Sequence, residues 1–173
     1  MRKSMISYLA GLCFAISLAT TVAQAQSSNL AEHCLVSCSA GTNPEYAVDG
    51  DRTGWFWEAS LKPSPWLEID LGQEKEISEI VIFMWWGGDN RYYQYAIAIS
   101  SDRAQWTEVV NARTNTAPST AEGRRYPIRP TPARFVRLTI TYNNVNAAVH
   151  VREMEIYGKE APARADGGHS GKE

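Results

Sequence analysis

From Trp66 onward, apolar and polar residues alternate with a period of two. Leu67, Ile69 and Leu71 point one way and Glu68 and Asp70 the other, up to Gly72, which is how a half-buried strand reads. Ile80, Ile82 and Met84 interleave with Val81, Phe83 and Trp85, predicting a strand covered on both faces. Tyr95, Ile97 and Ile99 predict a third strand; Val136, Leu138 and Ile140 a fourth; Met154 and Ile156 a fifth, just before Tyr157-Gly158. No window of a dozen residues carries a helical stripe, and turn-rich stretches separate the runs, so the fold class is all-β, an antiparallel sandwich or barrel. Trp57, Trp66 and Trp106 read as core. After Gly158 the large apolar residues stop. Residues 159–173, with His169, therefore read as a flexible, solvated tail that burial cannot order.

The start of the chain has a different pattern. Arg2 and Lys3 precede an apolar run from Ser7 to Val22, followed by Ala23-Gln24-Ala25, which predicts a signal peptide over 1–25 and a mature chain beginning near Gln26. The expected location is secreted or periplasmic, with no transmembrane segment, since the run is shorter than the ~20 residues a bilayer needs. Loss of Arg2 and Lys3 leaves 15 basic against 19 acidic residues, a balance of −4. That charge gives no footprint for nucleic acid or an anionic membrane. Cys13 leaves with the signal. Cys34 and Cys38, four residues apart, would be ~13 Å apart on an extended strand. They pair only if a turn or bulge lies between them, and both states stay open. A metal site from Cys34, Cys38 and His33 lacks a second Cys/His pair.

Particular residues then carry a resemblance. Asn29-Leu30-Ala31, Ala47 to Asp51, Trp66 to Gly72, Ile77 to Ile80, Ser100 to Trp106, Arg134 to Leu138 and Glu153 to Gly158 stand in the order of a discoidin domain, the coagulation factor 5/8 type C kind. The resemblance covers 29–158 and implies a single jelly-roll β-sandwich of about eight antiparallel strands with ligand loops at one end. Trp86 to Tyr95 and Asn143 to His150 look most like the discoidin domains attached to BTB-type adaptor proteins. The family also includes bacterial carbohydrate-binding modules for galactose and related sugars. Where the galactose binders carry a histidine and an arginine, this chain has Glu58 and the stretch Trp86 to Gly88.

Asp49-Gly50-Asp51-Arg52-Thr53 is an acidic loop with a glycine for the turn, and closely spaced hard oxygens suit Ca²⁺. The resemblance implies a structural calcium closed by Glu153 on the last strand, with backbone carbonyls from Tyr46 and Arg152 and the Thr53 hydroxyl. The usual hydroxyl position of the family holds Gly54 here. The alternative is that Asp49 and Asp51 only cap the turn.

A sugar needs a flat apolar surface for its C–H face and planar polar groups for its hydroxyls. Trp55, Glu58, Trp86, Asp89, Asn90, Arg91, Tyr92, Asn144 and Asn146 supply that mixture in predicted loops. Core roles for Trp55 and Trp86, and an Arg91–Asp89 pair, are the alternatives. His150 reads as a satisfied core histidine. His33 and His150 are the only histidines of the domain and belong to no nucleophile elbow, zinc helix or phosphate loop, so no enzyme is expected. The expected partner is a glycan, or a cell-surface protein in a protein-interaction reading. Arg124-Arg125-Tyr126 is too thin a basic feature for a lipid surface.

Overall fold

The computed structural model describes residues 28–160. Seven strands and one short 3₁₀ helix make up the domain: β1 Leu35–Cys38, the helix Pro44–Val48, β2 Trp57–Ser60, β3 Trp66–Met84, β4 Tyr93–Ser100, β5 Thr107–Asn111, β6 Arg124–Asn143 and β7 Ala148–Glu160. All pairings are antiparallel, in the order β2-β7-β3-β6-β4-β5, with β1 on β3. The signal-peptide reading lies outside the described residues. So does the tail, except Lys159 and Glu160, which continue β7 opposite Glu76 and Lys75.

The runs around Leu67–Leu71 and Ile80–Met84 are one bent strand rather than two. β3 does not stop at Gly72, which adopts a φ of 79°; its pairing to β6 shifts register between Asp70 and Lys75. Before the shift β3 lies between β1 and the second half of β6; after it, between the first half of β6 and β7. Two long strands thus serve two sheets of a jelly-roll sandwich. The first sheet holds β1, β3, β6, β4 and β5, the second β2, β7, β3 and β6.

The period-two residues fill the space between the sheets. Leu67, Ile69, Ile80, Ile82, Ile97, Val136, Leu138, Ile140, Met154 and Ile156 are at most 1% exposed. Trp57 joins them, its indole N–H donating to the Ala40 carbonyl at 3.1 Å. Gly41 lets that ring in: a Cβ there would stand 2.8 Å from the Trp57 nitrogen and 2.1 Å from the Glu58 carbonyl oxygen. Cys34 and Cys38 are both free thiols packed partly against this core, and burial raises the Cys34 pKa.

Trp66 and Trp106 depart from the expected core placement. They are half-buried on the outer face of the first sheet, because Arg137 needs them: its guanidinium lies 4.7 Å from the Trp66 ring and 4.0 Å from the Trp106 ring. The same guanidinium donates to Glu68 at 2.6 Å, and Arg103 Nε donates to the other Glu68 oxygen at 2.7 Å. Arg103 also sits 4.0 Å over Phe135, and Arg134 holds Asp70 through two bonds of 2.7 and 2.8 Å. Glu68 is only 3% exposed yet both its oxygens are paired, so this face is a closed ladder of cations, carboxylates and rings. The Arg134 hydrogen bonds hold the Asp70 carboxyl below the usual carboxylate range.

Candidate functional site

Register brings several loops to one end. The connection from β3 to β4, residues 85–92, and that from β6 to β7, residues 144–147, emerge together because Tyr93 pairs with Asn143 and Met84 with Val151. β2 itself runs beside β7, so Glu58, expected in a loop, stands on a strand and faces His150 across the pair.

His150 is the hub. Its ring meets Phe56 edge-on at 5.2 Å, and its Nδ1 stands 3.0 Å from the Tyr93 hydroxyl and 3.2 Å from Arg91 Nη1. Burial, and then the Arg91 charge, lowers the histidine pKa, so the neutral ring accepts at Nδ1. Burial pushes the Tyr93 phenol up to about 12. Arg91 is fixed from the other side by Asp89, whose carboxylate accepts from Nε at 3.1 Å and Nη2 at 2.9 Å. Asn90 takes the left-handed conformation, φ 55°, a region asparagine tolerates, and its carbonyl accepts from Asn144. Asn144 also holds the Tyr92 N–H at 2.8 Å, and Tyr92 and Tyr142 pack with centroids 5.9 Å apart.

A second group adjoins this one. The Arg152 side chain, 7% exposed, donates to the carbonyls of Thr53 and Gly54 and lies 4.7 Å from the Trp85 ring and 5.8 Å from the Trp86 ring. Trp55 follows Gly54 and is 73% exposed. Three buried polar atoms lack partners among the described residues: Trp86 Nε1, Arg152 Nε and Glu153 Oε1. Such atoms are rare in native interiors and call for water, an ion or a ligand. Glu153 is fully buried; its other oxygen accepts from the Gly50 N–H at 3.3 Å, and burial, with Asp49 nearby, pushes its carboxyl up to about 8.

The acidic loop is partly a capped turn. Asp49 accepts from the Asp51 N–H at 2.8 Å, and Asp51 Oδ1 accepts from the Thr53 N–H, the Thr53 hydroxyl and the Gly54 N–H. These bonds, the Thr53 N–H first, lower the Asp51 pKa. Among the described residues no three His, Cys, Asp or Glu side chains cluster closely enough to hold a metal by themselves. The feature that would suit a cation is the unpartnered Glu153 oxygen, with Asp49 nearby.

The structure therefore brings together Glu58, Trp86, Asp89, Asn90, Arg91, Tyr92 and Asn144, with Trp55 at their margin. Asn146 is exposed, but its amide oxygen is taken up within its own turn, accepting from the Asn143 amide and from the Ala148 N–H. Tyr46 sits in the 3₁₀ helix. Sequence reasoning missed Trp85, which it read as part of a strand, and set His150 aside as core. A glutamate exposed directly across from a histidine was the signal available, but it needs the β2–β7 register to be read.

The sequence profile of the F5/8 type C domain matches residues 24–154. The chain belongs to the F5/8 type C domain family. The human BTB/POZ domain-containing protein 9 is 33% identical over 112 residues, 62% of this chain and 18% of its own length; the bovine protein is 28% identical over the same shares. The domain thus spans less than a fifth of these relatives. A family 89 glycoside hydrolase from Clostridium perfringens contains a similar fold, with a TM-score of 0.66, 26% identity and coverage of 77% of this chain and 15% of that one. The CBM32 of AlyQ, in complex with 4,5-unsaturated mannuronic acid, gives 0.61 and 27% over 71% of this chain and 93% of that one. No helix of the described residues is long and apolar enough to cross a membrane.

Proposed function

We propose that this F5/8 type C domain is a non-catalytic carbohydrate-binding module, exported to the periplasm or the exterior, that takes a glycan at the loop end. The observation that carries the reading is the mixture there: Trp55, Trp86, Tyr92 and Tyr142 offer ring faces, and Glu58, Asp89, Arg91 and Asn144 offer planar polar groups beside them. Rings stack on the C–H face of a pyranose while amides, carboxylates and guanidinium groups order its hydroxyls. The CBM32 neighbour, bound to a uronic acid, supports the class of ligand. A calcium ion belongs to the same proposal, held by Asp49 and Glu153 with carbonyls of Tyr46 and Arg152; β7 shifts register at Arg152, leaving that residue without a Cα partner on β3. The ion would tie the first loop to β7 and supply no chemistry. Asp51 and Thr53 would join it only by giving up their turn.

Thermal unfolding with neutral and uronic oligosaccharides, each with calcium and with chelator, tests both parts. A glycan shift lost in Trp86→Ala and a calcium shift lost in Asp49→Ala are expected; silence across the glycan panel sinks the carbohydrate reading. The second reading is a protein partner at the same face, favoured by the exposure of Trp55, Val145 (46%) and Tyr142 (42%).

A further inference from the structure

Beside the loop end lies a cavity of about 200 Å³ that the glycan site does not use. Its apolar lining is Ile82, Met84, Tyr93 and Tyr95, each at most 5% exposed, and the segment 115–124 forms its rim. Both phenols are already engaged, Tyr93 with His150 and Tyr95 with the Tyr126 hydroxyl at 2.8 Å. What remains of these side chains is largely ring and methyl surface. The rim has the opposite character. Arg124 and Arg125 line it, with Ser119 and Thr120; the one carboxylate of the rim segment, Glu122, is engaged by Thr120 and does not line the cavity. Arg125 is neutralised by Glu79. Arg124 is held by neutral acceptors alone, Asn115 Oδ1 at 3.0 Å and the Ala117 carbonyl at 3.3 Å, so among the described residues its charge has no counter-ion. The rim segment is anchored, since Ser119 N–H donates to the Arg91 carbonyl at 2.8 Å and Asn115 donates to the Tyr93 carbonyl. Gly123, at φ 68°, lets the chain pass close against Phe83, since a Cβ there would stand 2.7 Å from the Phe83 ring.

We propose that this cavity binds a compact monocarboxylate with an apolar body, the body between Met84 and the tyrosine rings and the carboxylate on Arg124. Size decides the class: drug-sized ligands occupy roughly 300–1,000 Å³, so a single ring or a short branched chain fits and a disaccharide does not. Charge decides the head group, because a guanidinium that is always protonated gains most from a carboxylate in a partly desolvated place.

The probe is benzoate, with benzyl alcohol as its neutral counterpart, titrated into the intact protein while the Met84 and Ile82 methyl signals are followed by NMR. The expected result is benzoate binding at about millimolar strength, with the alcohol at least tenfold weaker. Arg124→Lys keeps the preference, Arg124→Gln abolishes it, and Trp86→Ala leaves it untouched, which separates this site from the glycan site. Equal response to acid and alcohol in the unaltered protein overturns the role of Arg124. Absence of any Met84 shift overturns the site, and neither result depends on a variant that must fold.

Discussion

Two regions of this domain are built from the same residue types, and their buried polar atoms end differently. On the outer face of the first sheet, Glu68, Asp70, Arg103, Arg134 and Arg137 form a ladder in which the carboxylates meet guanidinium groups and Arg137 has a ring on either side. At the loop end, Arg152 and Glu153 are buried and Trp86 is half-buried, yet each keeps a buried atom with no partner among the described residues. A buried polar group without a partner costs about 1–3 kcal/mol. A completed network specifies structure, whereas an incomplete one at a loop end marks where something from outside completes it. That difference, rather than the presence of arginine or tryptophan, separates scaffold from site.

Breaking the ladder should give the largest effect. Glu68→Ala strands two guanidinium groups and should cost about 2 kcal/mol of stability, below the ~3–5 of a fully buried pair because both arginines reach water; denaturant unfolding checks it, and no glycan affinity should be lost. Trp86→Ala should do the reverse, lowering glycan affinity about tenfold, or ~1.4 kcal/mol, in a binding titration while the unfolding midpoint hardly moves. Glu153→Gln sharpens the contrast by its sign. In chelator it should stabilise by about 1 kcal/mol, since a neutral amide suits a buried place beside Asp49, and it should abolish the calcium shift. The smallest effect is a pH dependence at Asp70. Its carboxyl pKa is lowered by Arg134, so its stabilisation is present above the unfolded value of ~3.9 and is lost as pH falls through the lower folded value. Arg134→Gln should lower the stability at neutral pH only slightly, with the difference vanishing in acid.

The sequence made the sandwich legible because a period-two pattern is a local property: Leu67, Ile69, Leu138 and Ile140 could be assigned to one face without knowing their neighbours. It did not show that β3 runs on through Gly72, since a glycine that ends a strand and one that bends it look alike. Trp66 and Trp106 were misplaced because Arg137, which draws them outward, lies 71 and 31 positions away in the chain. The Asp89–Arg91 pair was readable from its spacing of two. The convergence of Arg91, Tyr93 and His150, at separations of 59 and 57 residues, was not, and neither was the unpartnered state of Glu153, which depends on everything packed around it.

The six tryptophans, Trp55, Trp57, Trp66, Trp85, Trp86 and Trp106, sample core, ladder and loop end at once, so their indole N–H signals during a glycan titration test the central claim most directly. The account predicts that Trp55 and Trp86 move, and Trp85 to a lesser degree, while Trp57, Trp66 and Trp106 stay in place. Movement of Trp66 and Trp106 with Trp86 unmoved would contradict it and place the binding surface on the ladder.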